Sequence, residues 1–144
     1  MRLVCVIVLV SLFGCGRTEN DTRQIIAPTK TLGPYSPAVR VGGFLFLSGQ
    51  IGMDQATGQL RNESIETETR QALENITNIL HAAGYDMSHV VNATVYLKSM
   101  NDYATMNRVY AEYFGAGNYP ARTTVAVSEL PRQANIEIAI IAWK

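Results

Sequence analysis

The sequence predicts an α+β domain in which a mixed sheet carries two helices on one face. Three observations lead there. Two stretches repeat apolar residues at helical spacing, five shorter ones alternate or run apolar as strands do, and the two kinds interleave in the order β-β-α-β-α-β-β. A length of 144 residues suits one domain, and an apolar content of 47% supplies its core.

The opening segment stands apart from this pattern. Met1-Arg2 precedes an apolar run from Leu3 to Phe13, which has the length of a secretory signal core and is too short to span a bilayer. The run closes on Leu12-Phe13-Gly14-Cys15, which resembles a bacterial lipobox. That resemblance implies a signal peptide over 1–14, lipidation of Cys15, and an exported periplasmic lipoprotein held at the cell envelope. Cys5 leaves with the signal and Cys15 carries the lipid, so neither a catalytic thiol nor a disulfide is expected. Residues 15–30 are polar and aperiodic and are expected to form a flexible tether, with the domain over 31–144.

Gly33, Pro34 and Pro37 punctuate a loop at the start of the domain. Ala38 to Val41 and Phe44 to Ser48 read as strands joined by a Gly42-Gly43 turn. Ser64 to Ala83 is the clearest helix: Ile65, Ala72, Leu73, Ile76, Ile79 and Leu80 form its apolar stripe, and Gly84 stands where a helix stops. Glu66, Glu68, Arg70, Glu74 and Asn78 are expected to face water. Val91 to Leu97 alternates as a half-buried strand, and Asn101 or Asp102 caps a second helix running to about Phe114. Its stripe is Tyr103, Met106, Tyr110, Tyr113 and Phe114. Arg122 to Val127 and Ile136 to Trp143 supply the last strands, separated by a turn at Pro131. The final strand is apolar on both faces, so the side away from the helices needs a cover, and partner subunits are the simplest one.

Charge narrows the function. Lys+Arg and Asp+Glu each number 12, and no run of like charge supplies the phosphate contacts that nucleic-acid binding needs. The only histidines, His81 and His89, lack the thiols or spacing of a metal site and read as structural. Arg122 taken alone reads as a strand-edge arginine in a salt bridge, but strand alternation also puts it on one side with Thr124, a guanidinium fork beside a hydroxyl that suits a small carboxylate. Glu137 lies inside the most apolar strand, where a carboxylate is costly unless paired, hydrogen-bonded or protonated. If the last two strands form a hairpin, the two residues lie close. Glu137 is then either a buried structural partner of Arg122 or half of an acid–base site.

Five segments together resemble the Rid family, also called YjgF. They are Gly33-Pro34-Tyr35, Ser48-Gly49-Gln50-Ile51, Asn101 to Asn107, Pro120-Ala121-Arg122, and Ile136 to Ala142, and the likeness begins near Ile25. The resemblance implies a chorismate-mutase-like fold, a homotrimer with sites at subunit interfaces, and no metal or organic cofactor. It also implies a 2-iminobutanoate/2-iminopropanoate deaminase-like hydrolase, turning enamine or imine carboxylates into 2-keto acids and ammonia. Arg122 would bind the substrate carboxylate and Glu137 would position water. Tyr35 and Asn107 would line the pocket, with Ser48 and Gly49 close to the ligand. Thr124 stands where archetypal members carry cysteine. Two further readings remain open: a non-catalytic carboxylate-binding protein, and a ribonuclease, against which the neutral charge and lack of paired histidines speak.

Overall fold

In a computed structural model, which describes residues 22–144, the chain forms β1 (Gln24–Ile26), β2 (Ala38–Val41), β3 (Phe44–Ile51), α1 (Ile65–Ala82), β4 (Val90–Leu97), α2 (Tyr103–Tyr113), β5 (Ala121–Ala126) and β6 (Ile136–Trp143). The strands make one sheet in the spatial order β1-β2-β3-β6-β4-β5, with β4 and β5 parallel and every other pair antiparallel. Both helices pack on one face, against Leu45, Leu47, Val95, Ile136, Ile138 and their neighbours. The expected α+β architecture holds. The expected signal peptide and the expected lipidation site at Cys15 lie outside the described residues.

α1 forms where its caps and stripe agree. The Ser64 side chain accepts from the Thr67 N–H at 3.1 Å, and the helix stops in a Schellman turn, with Tyr85 N–H bonded to Leu80 O and Gly84 N–H to His81 O. Gly84 takes φ 79°, which only glycine adopts without strain. Leu73, Ile76, Ile79 and Leu80 are fully buried against the sheet. Leu73→Ala is expected to lower the unfolding free energy by about 2–5 kcal/mol in urea titrations, because the close-packed site cannot collapse onto the void. On the outer side, Glu66, Arg70, Arg108 and Glu112 form an alternating ring joining α1 to α2, with closest approaches of 2.6 and 2.7 Å. These side chains are solvent-exposed, so the ring adds little to stability and less in salt.

Three features differ from the sequence reading. β1 falls within the stretch assigned to the tether. Its three residues pair with β2, and Arg40 donates from Nε and Nη2 to Gln24 Oε1. A strand that short carries no period, so only its partner reveals it. Secondly, β5 and β6 form no hairpin. β6 inserts between β3 and β4, while β5 lies at the sheet edge, joined to parallel β4 by α2. A strand apolar on both faces belongs in the sheet interior, and a parallel pair needs a crossover such as α2. Thirdly, Glu68 is buried rather than facing water.

The face of the sheet away from the helices is apolar and open in the single chain. Val41, Phe44, Phe46, Val125 and Trp143 are all at least 40% exposed, which makes a patch that a soluble monomer rarely leaves uncovered.

Candidate functional site

β3 carries a bulge at Ser48-Gly49. Leu47 pairs with Ile140 but Gln50 pairs with Ile138, so one extra residue is accommodated. The Gln50 side chain satisfies the displaced backbone by donating Nε2 to the carbonyls of Ser48 (3.0 Å) and Gly49 (3.2 Å). Ser48 in turn ties down the loop before β2. Its Oγ donates to Ser36 O at 2.7 Å and its N–H to Pro37 O at 3.0 Å. That loop holds Tyr35, whose phenol oxygen accepts from the Leu32 N–H.

These pieces form a cleft of about 260 Å³ in which Tyr35, Ser48 and Gly49 meet Glu137, with Leu32 and Pro131 at the sides. Glu137 packs against the Gly49 backbone so closely that a Cβ on Gly49 would stand 1.7 Å from its Oε1. Among the described residues no hydrogen bond or ion pair reaches this carboxylate. Burial pushes its pKa above the ordinary 4.5. A half-buried acid with a raised pKa and no partner is chemically poised.

A second cleft, of about 360 Å³, lies on α2 and the edge strand β5 and is lined by Asn107, Tyr110, Tyr119 and Arg122. Arg122 Nη2 donates to Asn107 Oδ1 at 2.7 Å and lies 3.5 Å from the Tyr103 hydroxyl. Its guanidinium stacks 4.6 Å from the Tyr110 ring centroid. Asn107 and Arg122 hold the Tyr103 phenol below its usual pKa, while burial raises Tyr110 to about 12. No carboxylate among the described residues forms an ion pair with Arg122, and its Nε and Nη1 hydrogens make no hydrogen bond there. The arginine is oriented by a neutral amide and two rings, which leaves its charge for a ligand.

The alternation read from the sequence is correct: Arg122 and Thr124 share the face of Ala93 and Val95, their partners on β4. Thr124 does not line the cleft. Its Oγ1 is buried beside it, and like the Tyr110 hydroxyl it lacks a hydrogen-bond partner among the described residues. The sequence places Tyr103 and Tyr110 on one apolar stripe; in the fold Tyr110 is buried in the core while Tyr103 is exposed, and both rings cradle Arg122.

The expected closeness of Arg122 and Glu137 does not occur within one chain. β4 and its partner spacing separate them by about 10 Å across the sheet. They also lie on opposite faces, since Arg122 pairs with Ala93 and Glu137 with Tyr96, three residues on. The pair is therefore no structural salt bridge. The chain instead displays two separate clefts, a cationic one on β5 and an acidic one between β3 and β6.

Comparison with known proteins agrees with this architecture. The family model for endoribonuclease L-PSP matches residues 25–144. The chain is 55% identical to a RutC family protein of Pyrococcus horikoshii, over 80% of this chain and 90% of that one. It is 45% identical to the mouse 2-iminobutanoate/2-iminopropanoate deaminase, over 83% and 90%. The crystal structure of E. coli TdcF with bound serine superposes with a TM-score of 0.79 at 35% identity, covering 84% of this chain and 98% of that one.

Proposed function

The chain belongs to the Rid/YjgF family, that of the endoribonuclease L-PSP model, and from that membership we propose that it hydrolyses small enamine or imine carboxylates to 2-keto acids and ammonia. The observation that carries this reading is the pair of half-sites: an arginine with no acidic partner and a carboxylate with no hydrogen-bond partner, each among the described residues. A homotrimer closing on the open sheet face would bring Arg122 of one subunit to Glu137 of its neighbour and cover the exposed Phe44, Phe46 and Trp143. Serine bound to TdcF supports a small amino or keto acid as the ligand class.

In this mechanism the Arg122 guanidinium holds the substrate carboxylate and draws charge from the adjacent C=N carbon. An enamine such as 2-aminoacrylate first tautomerises to its imine. Glu137 takes a proton from water as the water oxygen bonds to that carbon, and the proton passes to the nitrogen. In the tetrahedral carbinolamine Glu137 then takes the hydroxyl proton and passes it to the nitrogen, so that the C–N bond breaks as the C=O forms, giving the keto acid and ammonia. Among the described residues neither cleft is lined by a histidine or a lysine, which favours this reading over RNA cleavage.

The test generates 2-iminopropanoate in the cuvette with an amino-acid oxidase and follows pyruvate release. Purified protein should accelerate release well beyond the spontaneous rate. Release at the spontaneous rate, with calorimetry still showing 2-ketobutyrate binding, would leave a binding protein in place of an enzyme.

The pH profile has a definite sign. Glu137 must be ionised to act as base, so kcat should rise with pH through an ionisation above 4.5 and then level off, and Glu137→Gln should remove that limb. The same raised pKa makes the folded chain bind this proton more tightly than the unfolded one. The contribution of Glu137 to stability is therefore full at low pH and is lost as pH rises through its raised value.

A further inference from the structure

Glu68 has no place in the proposed chemistry, yet it is a fully buried carboxylate on the sheet side of α1. Its oxygens are committed to one turn of chain: Oε1 accepts from the Asn135 N–H at 2.9 Å and Oε2 from Asn135 Nδ2 at 2.8 Å. Asn135 is the residue before β6, and its own carbonyl accepts from the Lys98 N–H, so the turn is held from both sides. Glu137 follows two residues later.

Two helical turns along α1, Asn75 reaches the opposite wall of the same cleft. Its Nδ2 donates to Ile51 O at 3.1 Å and Met53 O at 2.8 Å, and Gln71 Nε2 fixes its Oδ1 at 3.1 Å. Between these anchors the backbone of Gly52 lies on Glu68, close enough that a Cβ there would stand 2.4 Å from Glu68 Cγ. The end of β3 and the start of β6 thus hang from one polar stripe of α1. Those two segments carry the Gly49–Ile51 wall and the Glu137 wall of the acidic cleft. Glu137 has no hydrogen-bond partner among the described residues, so no hydrogen bond places its carboxylate, which depends on where β6 begins and on packing, that on Gly49 included.

We propose that Glu68 and Asn75 are positioning residues for Glu137, fixing the distance between the two walls that hold its carboxylate. The inference rests on the imine-hydrolase reading and assigns to that site residues 68 and 75, which line neither cleft. It separates the two half-sites energetically, because nothing in the stripe touches Arg122. Disturbing it should lower turnover and leave ligand affinity alone.

The experiment compares Glu68→Gln, Glu68→Leu and Asn135→Ala in the imine assay, with 2-ketobutyrate affinity by calorimetry. Glu68→Gln keeps an acceptor for the Asn135 N–H and should stay within about threefold of wild-type kcat. Glu68→Leu fills the same space without acceptors and should lose about tenfold or more in kcat, with affinity unchanged. Should Glu68→Leu not fold, Asn135→Ala removes only the Nδ2 arm of a turn residue and should show the same split at about threefold. Each loss should vanish in a Glu137→Gln background, where the group being positioned is gone. Wild-type kcat in Glu68→Leu, or in Asn135→Ala where Glu68→Leu does not fold, an equal loss of affinity, or the same proportional loss in the Glu137→Gln background would overturn the proposal. An inactive wild-type protein would overturn the hydrolase reading instead.

Discussion

Arg122→Ala is expected to lower kcat/KM for 2-iminopropanoate by about a hundredfold to a thousandfold, the range seen when one preorganised donor to developing charge is removed. The geometry explains why the effect is large. Arg122 is the cation of its cleft, steadied by Asn107 and the Tyr110 ring, and makes no ion pair among the described residues. Its removal leaves no substitute for the carboxylate. Calorimetry with 2-ketobutyrate should lose most of the binding, which separates this defect from one at Glu137. Arg122→Lys should restore only part of the activity, because a point charge cannot reproduce the planar fork or its stacking on Tyr110. Unchanged pyruvate release from Arg122→Ala would remove the basis of the proposed function.

The same variant tests how the half-sites meet. Arg122→Ala and Glu137→Gln subunits should each be nearly inactive alone. If sites form between subunits of a trimer, co-refolding them at equal amounts should restore about a quarter of the wild-type sites, those pairing an intact Arg122 with an intact Glu137 from a neighbour. No recovery in verified mixed oligomers would place both groups of each site on one chain, against the opposed faces seen in the fold.

Much of this was legible in the sequence, and the illegible parts share a physical cause. Local period fixed α1, α2 and five strands, and alternation alone put Arg122 and Thr124 on one face. Strand order is a non-local property. The hairpin of the last two strands was the simplest connection, but the double-sided apolar character of β6 was better satisfied between β3 and β4. Glu68 was missed for a different reason. It sits at helical spacing with Ile65, Ala72 and Ile76, on the buried side, but its charge argued for water. Only its bonds to Asn135, 67 residues away in sequence, make that burial tolerable.

Gly49→Ala carries the second large effect. Gly49 does not adopt a positive φ, so its backbone accepts alanine and conformational freedom is not the reason for glycine here. The reason is Glu137, whose Oε1 would lie 1.7 Å from the new methyl group. The clash is with a side chain that can rotate, so the cheapest response is for the carboxylate to leave its position while β3 and β6 stay paired. Gly49→Ala is therefore expected to retain a melting temperature near that of wild type but to lose kcat by about a hundredfold or more, as loss of a positioned general base does. Adding Glu137→Gln should cost little more, since both changes remove the same group. Gly52→Ala should behave in the opposite way. Its Cβ would meet the Glu68 backbone oxygen at 2.7 Å and Cα at 2.9 Å, which no rotamer relieves, so stability should fall along with activity. A Gly49→Ala protein with wild-type turnover, and Glu137 unmoved in its crystal structure, would show that the contact does not set the position of the base.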